Sequence, residues 1–582
     1  MKNDQSTGGM NKFAVAAALQ EIGQLLRLNA GDQFRSRAYA KAAQAVAETG
    51  IDFPSLVEQK RLIGIKGIGQ SLAGVIEELY FTGKSSLLER LRAEKPCGVL
   101  ELSLIPGLTV KKIKTLNETL GISSIDQLKA AIEAGRLRTV PGFGTKTESA
   151  LLEQISRYEN RDNRILLLHA LRIGEKVIEH MQLSSDLVHI DLAGSARRWK
   201  ETVSAIRITA GASRKTETLV SHFLKFPLIT RIEKQSKNAA TVRLIEGVTV
   251  LFSAAASSEY WNLLQHETGS KAHQTKLEGI AEAKGIKLTP TNMKLTGKRT
   301  VLRVETESDI YRHLDMQYIA PELREDEGEI EAALSHSIPD DIITIEDIRG
   351  MVHCHTTYSD GRNTVEEMAR AAEAMGMRYM TITDHSPTAH YANGLKLDRL
   401  KRQWDEIGRV QEKVAIKLLR GTESDILRDG ALDYPDRILE QFDVIIASIH
   451  NRYKLDEDEM TKRVIDAMRN PLFKVWGHPL GRLVQRRPPI SCRVEEILDV
   501  VAESGAAIEI SGDPHRLDLE PRWTKEARKR HIKFVISTDA HSISDLENLK
   551  FGIGLARRAG VRRPEVLNTL ATTAFQKSVR PA

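Results

Sequence analysis

His353 and His355 flank a single cysteine, Asp360 follows in Ser359-Asp360-Gly361, and His385 closes the run Thr381-Ile382-Thr383-Asp384-His385. Alternate side chains of a strand share a face, so His353 and His355 are expected to point one way and Cys354 into the opposite layer. That presents an imidazole pair to a metal. A lone histidine beside a strand is more often a hydrogen-bonded core residue. Here the placement recurs: Glu423 in Gly421-Thr422-Glu423, His450 after Ile445, His478 in Val475-Trp476-Gly477-His478-Pro479, and Asp539 and His541 after Val535. Core packing does not put ionisable groups at one strand end after another, whereas α/β folds build their sites there.

The elements that must position these groups are legible in the same stretch. Glu366 to Met375 reads as an amphipathic helix with Met368, Ala371, Ala372 and Met375 on one side, and Gly376 stops it. Tyr379 to Thr383 reads as the next strand, which makes a βαβ unit with His353, His355 and His385 at strand ends.

From about Ile342 to Ala582 the chain resembles the polymerase and histidinol phosphatase (PHP) family, which implies a distorted (β/α)7 barrel with a trinuclear metal site. The resemblance implies one metal on His353, His355, Glu423 and Asp539, a second sharing Glu423 with His450 and His478, and a third on Asp360, His385 and His541. Imidazole and carboxylate ligands suit Zn²⁺ or Mn²⁺ better than Ca²⁺. Glu423, Asp539, His450 and Arg516 are the expected catalytic residues. Arg516 and Arg482 are the candidates for the substrate phosphate, and His515 is a candidate for stacking on a base.

The 582 residues exceed what one core usually serves, so several domains are expected. A hydrophobic content of 41%, a charged content of 28% and a net charge of +6 describe ordinary soluble protein and do not by themselves point to nucleic acid. Cys97, Cys354 and Cys492 form no disulfide framework, there is no apolar signal core, and no apolar run reaches about 18 residues. A cytoplasmic protein without membrane association is expected, and residues 1–10 are expected to be disordered.

Residues 11 to about 92 carry helical periodicity, with Phe13, Ala16, Leu19, Ile22, Leu25 and Leu26 on one face. Gly67-Ile68-Gly69 then interrupts the helices. Two glycines around one apolar residue allow a tight turn whose backbone N–H groups face a helix N-terminus, as in a helix-hairpin-helix element. A partial copy stands at Pro106-Gly107-Leu108-Thr109 and a full one at Pro141-Gly142-Phe143-Gly144, followed by Lys146. Recurrence with lysines close by favours contact with a DNA backbone through Gly67, Gly69, Gly142, Gly144 and Lys146.

Residues 161–321 turn mixed α/β. Ala193-Gly194-Ser195-Ala196-Arg197-Arg198 with Glu201-Thr202, Thr268 to His273, and Tyr318 to Arg324 resemble the palm and thumb of family X DNA polymerases. With the helical start, the whole chain is similar to bacterial family X polymerases carrying a C-terminal PHP domain. Gly194, Ser195 and Arg197 are the family's nucleotide-binding positions. Where that family carries Asp-x-Asp this chain has Ala205-Ile206-Arg207, and where a third aspartate is expected it has Val250-Leu251-Phe252. The position of the family's lyase lysine holds Val75. The palm is therefore expected not to polymerise.

The expected fold is multidomain. It has a helix-hairpin-helix domain at 1–95, a fingers-like helical region at 96–160, an α/β nucleotidyltransferase-like palm and thumb at 161–321, an acidic solvated spacer at 322–341 and the PHP barrel at 342–582. Lys396, Arg399, Arg428, Lys454, Arg482, Arg486, Arg487 and Arg516 near the barrel's strand ends could guide a polyanion to the metals. Together these imply a monomeric, metal-dependent phosphoesterase. The resemblance implies 3′–5′ exonuclease or 3′-end-processing action on gapped, nicked or primer-template DNA, with water activated by metal as nucleophile; the ligands alone would also fit histidinol phosphate or a mononucleotide. An active gap-filling family X polymerase and a non-catalytic DNA-binding scaffold are the alternatives.

Overall fold

The computed structural model describes residues 10, 12–28, 32–48, 53–65, 67–95, 98–103, 105–159, 164–244 and 247–580. Residues 1–9, Lys66, Cys97 and Leu104 lie outside that set, as do the side chains of Phe13 and Lys146. Contacts divide the chain into two compact units, one of residues 1–164, 175–187 and 217–252, the other of residues 165–174, 188–216 and 253–582.

The first unit is helical through Glu159, and its apolar periodicity closes one core that includes Leu19, Ile22, Leu62, Ile76, Leu116, Leu128 and Phe143. Val75 packs against that core. All three hairpins take a left-handed backbone at their first glycine, with φ of 95° at Gly67, 90° at Gly107 and 86° at Gly142, which glycine adopts without a Cβ penalty. Gly69 caps the helix Gln70–Thr82 with no side-chain bond. In the partial copy Thr109 replaces that glycine and caps the helix Val110–Leu120, its hydroxyl accepting from the N–H of Lys112 at 3.4 Å.

The second unit contains seven parallel strands in sequential order: β1 (Gly350–Cys354), β2 (Tyr379–Ile382), β3 (Lys417–Asp425), β4 (Val444–Ser448), β5 (Val475–Trp476), β6 (Ala507–Ser511) and β7 (Phe534–Ser537). Runs such as Val444-Ile445-Ile446-Ala447 are buried on both faces, as parallel strands covered by helices require. The barrel closes where the N–H of His355 donates to the carbonyl of Ala540 (2.8 Å) and that of Ala540 to the carbonyl of His353 (3.1 Å). The helix Val365–Ala374 follows β1, started by a capping box of Thr364 and Glu367, and Gly376 at φ 84° ends the turn after it.

Strand period two explains how one interior serves two purposes. Val352, Tyr379, Leu419, Val444, Ile446, Val475, Ala507 and Val535, from all seven strands, form one apolar cluster with Phe575 and Val579 of the C-terminal helix Thr572–Val579. Phe575 stacks on Tyr379 at 4.7 Å between ring centroids. Stepping by two from these residues toward the C-terminal ends reaches Glu423, His450, Glu509, Asp539 and His385. One end of the barrel is apolar and plugged, and the other is ionic.

Strand β1 departs from the simple alternation expected for it. From Val352 the parity points to Cys354, not to His353 and His355. The register with β2 shifts between Met351 and Cys354, and His353 has φ of 62°. This bulge turns both imidazoles into the interior that Val352 already occupies.

Residues 322–341 are not a solvated spacer. Arg324 is completely buried, Glu329 accepts from His273 Nδ1 at 2.7 Å, and the helix Glu329–Leu334 buries Ile330 and Ala333 in one core with Leu277, Ile310 and Tyr311. Acidic side chains of the segment meet cations from elsewhere in the chain, Glu322 with Arg557, Glu325 with Arg198 and Asp326 with Lys276, and composition does not show such pairs.

Candidate metal centre

Glu423 stands at the centre of the ionic end, 1% exposed. Its Oε1 is 2.8 Å from His478 Nε2 and 3.1 Å from His450 Nε2, and its Oε2 is 2.9 Å from His385 Nδ1, 3.4 Å from His353 Nε2 and 3.6 Å from His355 Nε2. Asp539 Oδ1 is 3.3 Å from His355 Nε2 and 3.7 Å from His353 Nε2. Asp360 Oδ1 is 3.4 Å from His541 Nε2 and 3.6 Å from His385 Nε2. Every residue expected as a metal ligand therefore converges on one pocket.

Three sets of these side chains bring ligand atoms close enough to share an ion: His353, His355 and Asp539; His385, Glu423 and His450; and His355, Asp360, His385 and His541. The partition differs from the expected one. His355 and His385 each belong to two sets, and His478, outside all three, meets Glu423 through Nε2 at 2.8 Å.

Partners behind the imidazoles, which sequence reasoning missed, fix their orientation. Glu509, fully buried in β6, accepts from His353 Nδ1 at 2.5 Å and from the backbone N–H of His478. Asp425 accepts from His450 Nδ1 at 2.7 Å, and the carbonyl of Asp539 from His541 Nδ1 at 2.9 Å. Each bond leaves Nε2 with its lone pair turned into the pocket, the arrangement that prepares histidine for a metal. The signal for Glu509 was a single carboxylate inside the apolar run Ala507-Ile508-Glu509-Ile510. Asp384 plays a different part: it accepts from the backbone N–H groups of Thr356 (2.8 Å) and Ser359 (3.1 Å) and so ties down the loop that carries Asp360.

Buried nitrogen and oxygen atoms normally find partners. His353 Nε2, both ring nitrogens of His355, His385 Nδ1, His450 Nε2 and Glu423 Oε2 have none with hydrogen-bond geometry. Left-handed backbone at His353 (φ 62°), His478 (φ 21°) and Asp539 (φ 49°) marks the same rim as strained, as functional sites often are.

Electrostatics point the same way. Burial opposes ionisation of Glu423, yet His450, His353 and His385 hold its carboxyl well below the usual range. Asp360 is the exposed member of the set; partial desolvation opposes its ionisation, yet its bond to His541 helps to hold it at about 2. Burial lowers His450, but Glu423 and Asp425 outweigh it and raise the imidazole to about 9, whereas burial beside His541 and His385 takes His355 down to about 3. Ionised carboxylates in a buried site require compensating positive charge. Carboxylates held ionised beside imidazoles with unpartnered nitrogens fit divalent metal ions that take the place of those imidazoles' protons.

Arg516 lies at the edge of this pocket, its Nε 3.1 Å from Asp539 Oδ2 and 3.4 Å from Asp513 Oδ2, with Nη1 buried and unpartnered. His515 is turned to Asp513 at 3.2 Å. Arg482, expected at the substrate phosphate, is instead buried and binds carbonyls and carboxylates of the protein. Lys396, Lys454 and Arg486 are exposed, while Arg487 stacks over Tyr453 at 3.9 Å.

The chain aligns with the DNA polymerase/3′-5′ exonuclease PolX of Bacillus subtilis at 33% identity over 562 residues, 96% of this chain and 97% of that protein. This chain belongs to the PolX family. Its barrel matches the PHP domain model at residues 352–512, and residues 263–325 match the DNA polymerase beta thumb. Residues 10–85 match a helix-hairpin-helix domain and 99–157 a SAM-like helix-hairpin-helix tandem. A PHP domain is thus fused to a family X core. Asp539 and His541 fall beyond the matched PHP segment, and only the fold brings them to Glu423. The barrel is also similar to a probable phosphatase of Thermoanaerobacter sp. (strain X514), 29% identical over 235 residues, 37% of this chain and 89% of that protein. A probable phosphatase of Acetivibrio thermocellus is 28% identical over 198 residues, 32% of this chain and 78% of that protein.

The polymerase-like positions of the second unit are closed by their own side chains. Arg197, expected at a nucleotide, forms two bonds to Glu307 (2.9 and 2.6 Å), and Arg324 shares that carboxylate at 2.6 Å. Arg198 pairs with Glu325 at 2.9 Å. Gly194 takes φ of 62°, and a Cβ there would lie 2.7 Å from Arg207 Cδ, so Arg207 covers the Gly194-Ser195 turn while pairing with Glu267 at 2.6 Å.

Proposed function

We propose that this PolX-family chain is a metal-dependent phosphoric ester hydrolase that trims or cleans 3′ ends of DNA from its barrel, and that its polymerase-like core does not polymerise. The observation that carries this reading is the convergence of imidazoles on Glu423, with nitrogens of His353, His355, His385 and His450 buried there without a hydrogen-bonded partner. Three divalent ions, Zn²⁺ or Mn²⁺, would be held by His353, His355 and Asp539, by His385, Glu423, His450 and His478, and by Asp360, His541 and the shared imidazoles. When bound, such ions activate water and stabilise the charge that develops on phosphate. Glu509 and Asp425 keep His353 and His450 in the tautomer that leaves Nε2 free. Asp384 anchors the Asp360 loop, and the unpartnered Nη1 of Arg516 would take a phosphate oxygen.

DNA is the proposed macromolecular partner. The open left-handed turns at Gly67 and Gly142 would present backbone N–H groups to phosphates without regard to sequence.

The name of the Bacillus relative favours a second reading, an active polymerase. Against it stand Ala205, which offers no ligand, Arg207, which sets a permanent cation where a dication is needed, and Leu251. Purified protein with Mn²⁺ and primer-templates labelled at either end, with and without dNTPs, separates the two. Shortening from the 3′ end without extension is expected. Template-dependent extension by a His353→Ala, Glu423→Ala variant would establish the polymerase reading instead.

A further inference from the structure

Within the second unit, Arg482 links two parts of the chain with different ancestries. Its Nη2 is 3.0 Å from Glu201 Oε1, in the polymerase-like segment, and also donates to the carbonyl of Leu517. Its Nε donates to the carbonyl of Arg516 at 2.9 Å and its Nη1 to Glu520 at 2.8 Å. Arg516 in turn reaches Asp539 at 3.1 Å. Leu517 has φ of 48°, so the segment under Arg516 does not keep its shape by local preference and must be held.

Glu201 is itself fixed in place. Trp199, two residues before it, lies against the barrel helix Leu549–Arg558, where a Cβ on Gly554 would meet its ring at 2.4 Å. Glu201 Oε1 also lies 3.7 Å from Arg558, whose side chain is 11% exposed. One carboxylate thus answers two buried guanidinium groups, and removing it leaves Arg482 to be drawn toward Glu520 alone.

We propose that Glu201 is a positioning residue of the hydrolytic site, acting through Arg482 to hold the Arg516-Leu517 backbone so that the Arg516 guanidinium faces the metal pocket. This rests on the hydrolytic reading of the barrel. It gives the family X core a task that needs no palm carboxylates: its Glu201 segment completes the barrel's substrate-facing loop.

The test uses the full-length chain carrying Glu201→Gln, with Glu322→Gln as the control. Glu322 also joins the core to the barrel, through Arg557 at 2.8 Å, but does not reach the Arg516 loop. Glu201→Gln is expected to lower kcat on a 3′-labelled primer-template about tenfold or more, since misplacement on the ångström scale carries penalties of that order. It is expected to add less than twofold in an Arg516→Lys background, and to speed amide exchange at residues 513–517 while the barrel strands stay protected. Glu322→Gln should do none of this. Equal effects of the two substitutions, full additivity with Arg516→Lys, or unchanged exchange at 513–517 would overturn the proposal. If Glu201→Gln does not fold, Glu201→Asp read by the same exchange measurement decides it. A wild-type chain that leaves DNA ends intact would sink the hydrolytic reading, while the exchange arm still reports on the coupling.

Discussion

The ionic rim of the barrel and the ion-pair network of the polymerase-like core are built from similar side chains and end in opposite states. In the core, Glu307 is held between Arg197 and Arg324, Arg198 meets Glu325, and Arg207 meets Glu267. Each charge there has its counter-charge on the chain itself. In the barrel, Glu423, Asp539 and Asp360 are surrounded by imidazoles, of which His353, His355, His385 and His450 keep a buried ring nitrogen without a hydrogen-bonded partner. A guanidinium has no lone pair to give to a metal, whereas an imidazole has one. The contrast teaches that clustered charge does not mark a cation site; unsatisfied donor atoms do.

The largest effect that can break this comparison is expected at Glu423. Glu423→Gln removes the carboxylate common to most of the imidazoles. Hydrolysis should fall by about three orders of magnitude or more, the loss of several kcal/mol of metal stabilisation. Elemental analysis of protein made without chelators, with zinc and manganese supplied, should show fewer than the proposed three ions per chain. Unchanged metal content would dissolve the contrast.

The next largest effect lies in the core. Burial pushes the Glu307 carboxyl up, but Arg324 and Arg197 outweigh it and hold it at about 2. A carboxyl depressed on folding contributes stability above its unfolded pKa, near 4.5, and loses that contribution as pH falls toward 2. The linkage amounts to about 3 kcal/mol. Glu307→Gln should therefore lower denaturant stability at pH 7 by about that much and flatten its decline between pH 4.5 and 2. A variant as stable as wild type at pH 7 would show that the network only rearranges.

Metal removal should affect the two regions unequally. Ions that bind only the folded barrel stabilise it by mass action, about 2.7 kcal/mol at a hundredfold excess over Kd. Chelation is expected to lower thermal stability and to speed amide exchange at the barrel's strand ends while leaving the Glu307 region unchanged. A uniform loss across the second unit would mean that core and barrel open together.

The smallest effect concerns the hairpins. Gly142 has φ of 86° with open space around a built Cβ, so valine there strains the backbone without a clash. DNA affinity should drop several-fold, and the dependence of log Kd on log salt should become shallower by roughly one phosphate contact. Fluorescence anisotropy across a salt series measures both.

Much of this was legible before any coordinates. Amphipathic and buried apolar periodicities disclosed the helix after β1 and the parallel strands, and glycine pairs disclosed the hairpin turns, because local sterics govern these features. Histidine, aspartate and glutamate at successive strand ends disclosed the pocket, because parallel strands bring all their C-terminal ends to one side. The expectation that Asp-x-Asp is missing at Ala205 and Arg207 rests on the residue types alone.

Tertiary structure alone decided the rest. The bulge that turns His353 and His355 inward is a pairing irregularity with a neighbouring strand, and no alternation rule within one strand encodes it. Glu509 was a lone carboxylate in an apolar strand, and only the folded chain places His353 and His478 against it. Residues 322–341 read as a solvated spacer because acidic composition records charge and not its partners; Arg557, Arg198 and Lys276 meet Glu322, Glu325 and Asp326 only after folding. Arg482 could be a phosphate contact or an interior clamp by residue type, and the carboxylate that separates the two, Glu201, lies far away in the chain. Sequence determines which groups can donate, accept or ligate. Which of them remain unsatisfied depends on the geometry of distant segments, and that remainder is where function resides.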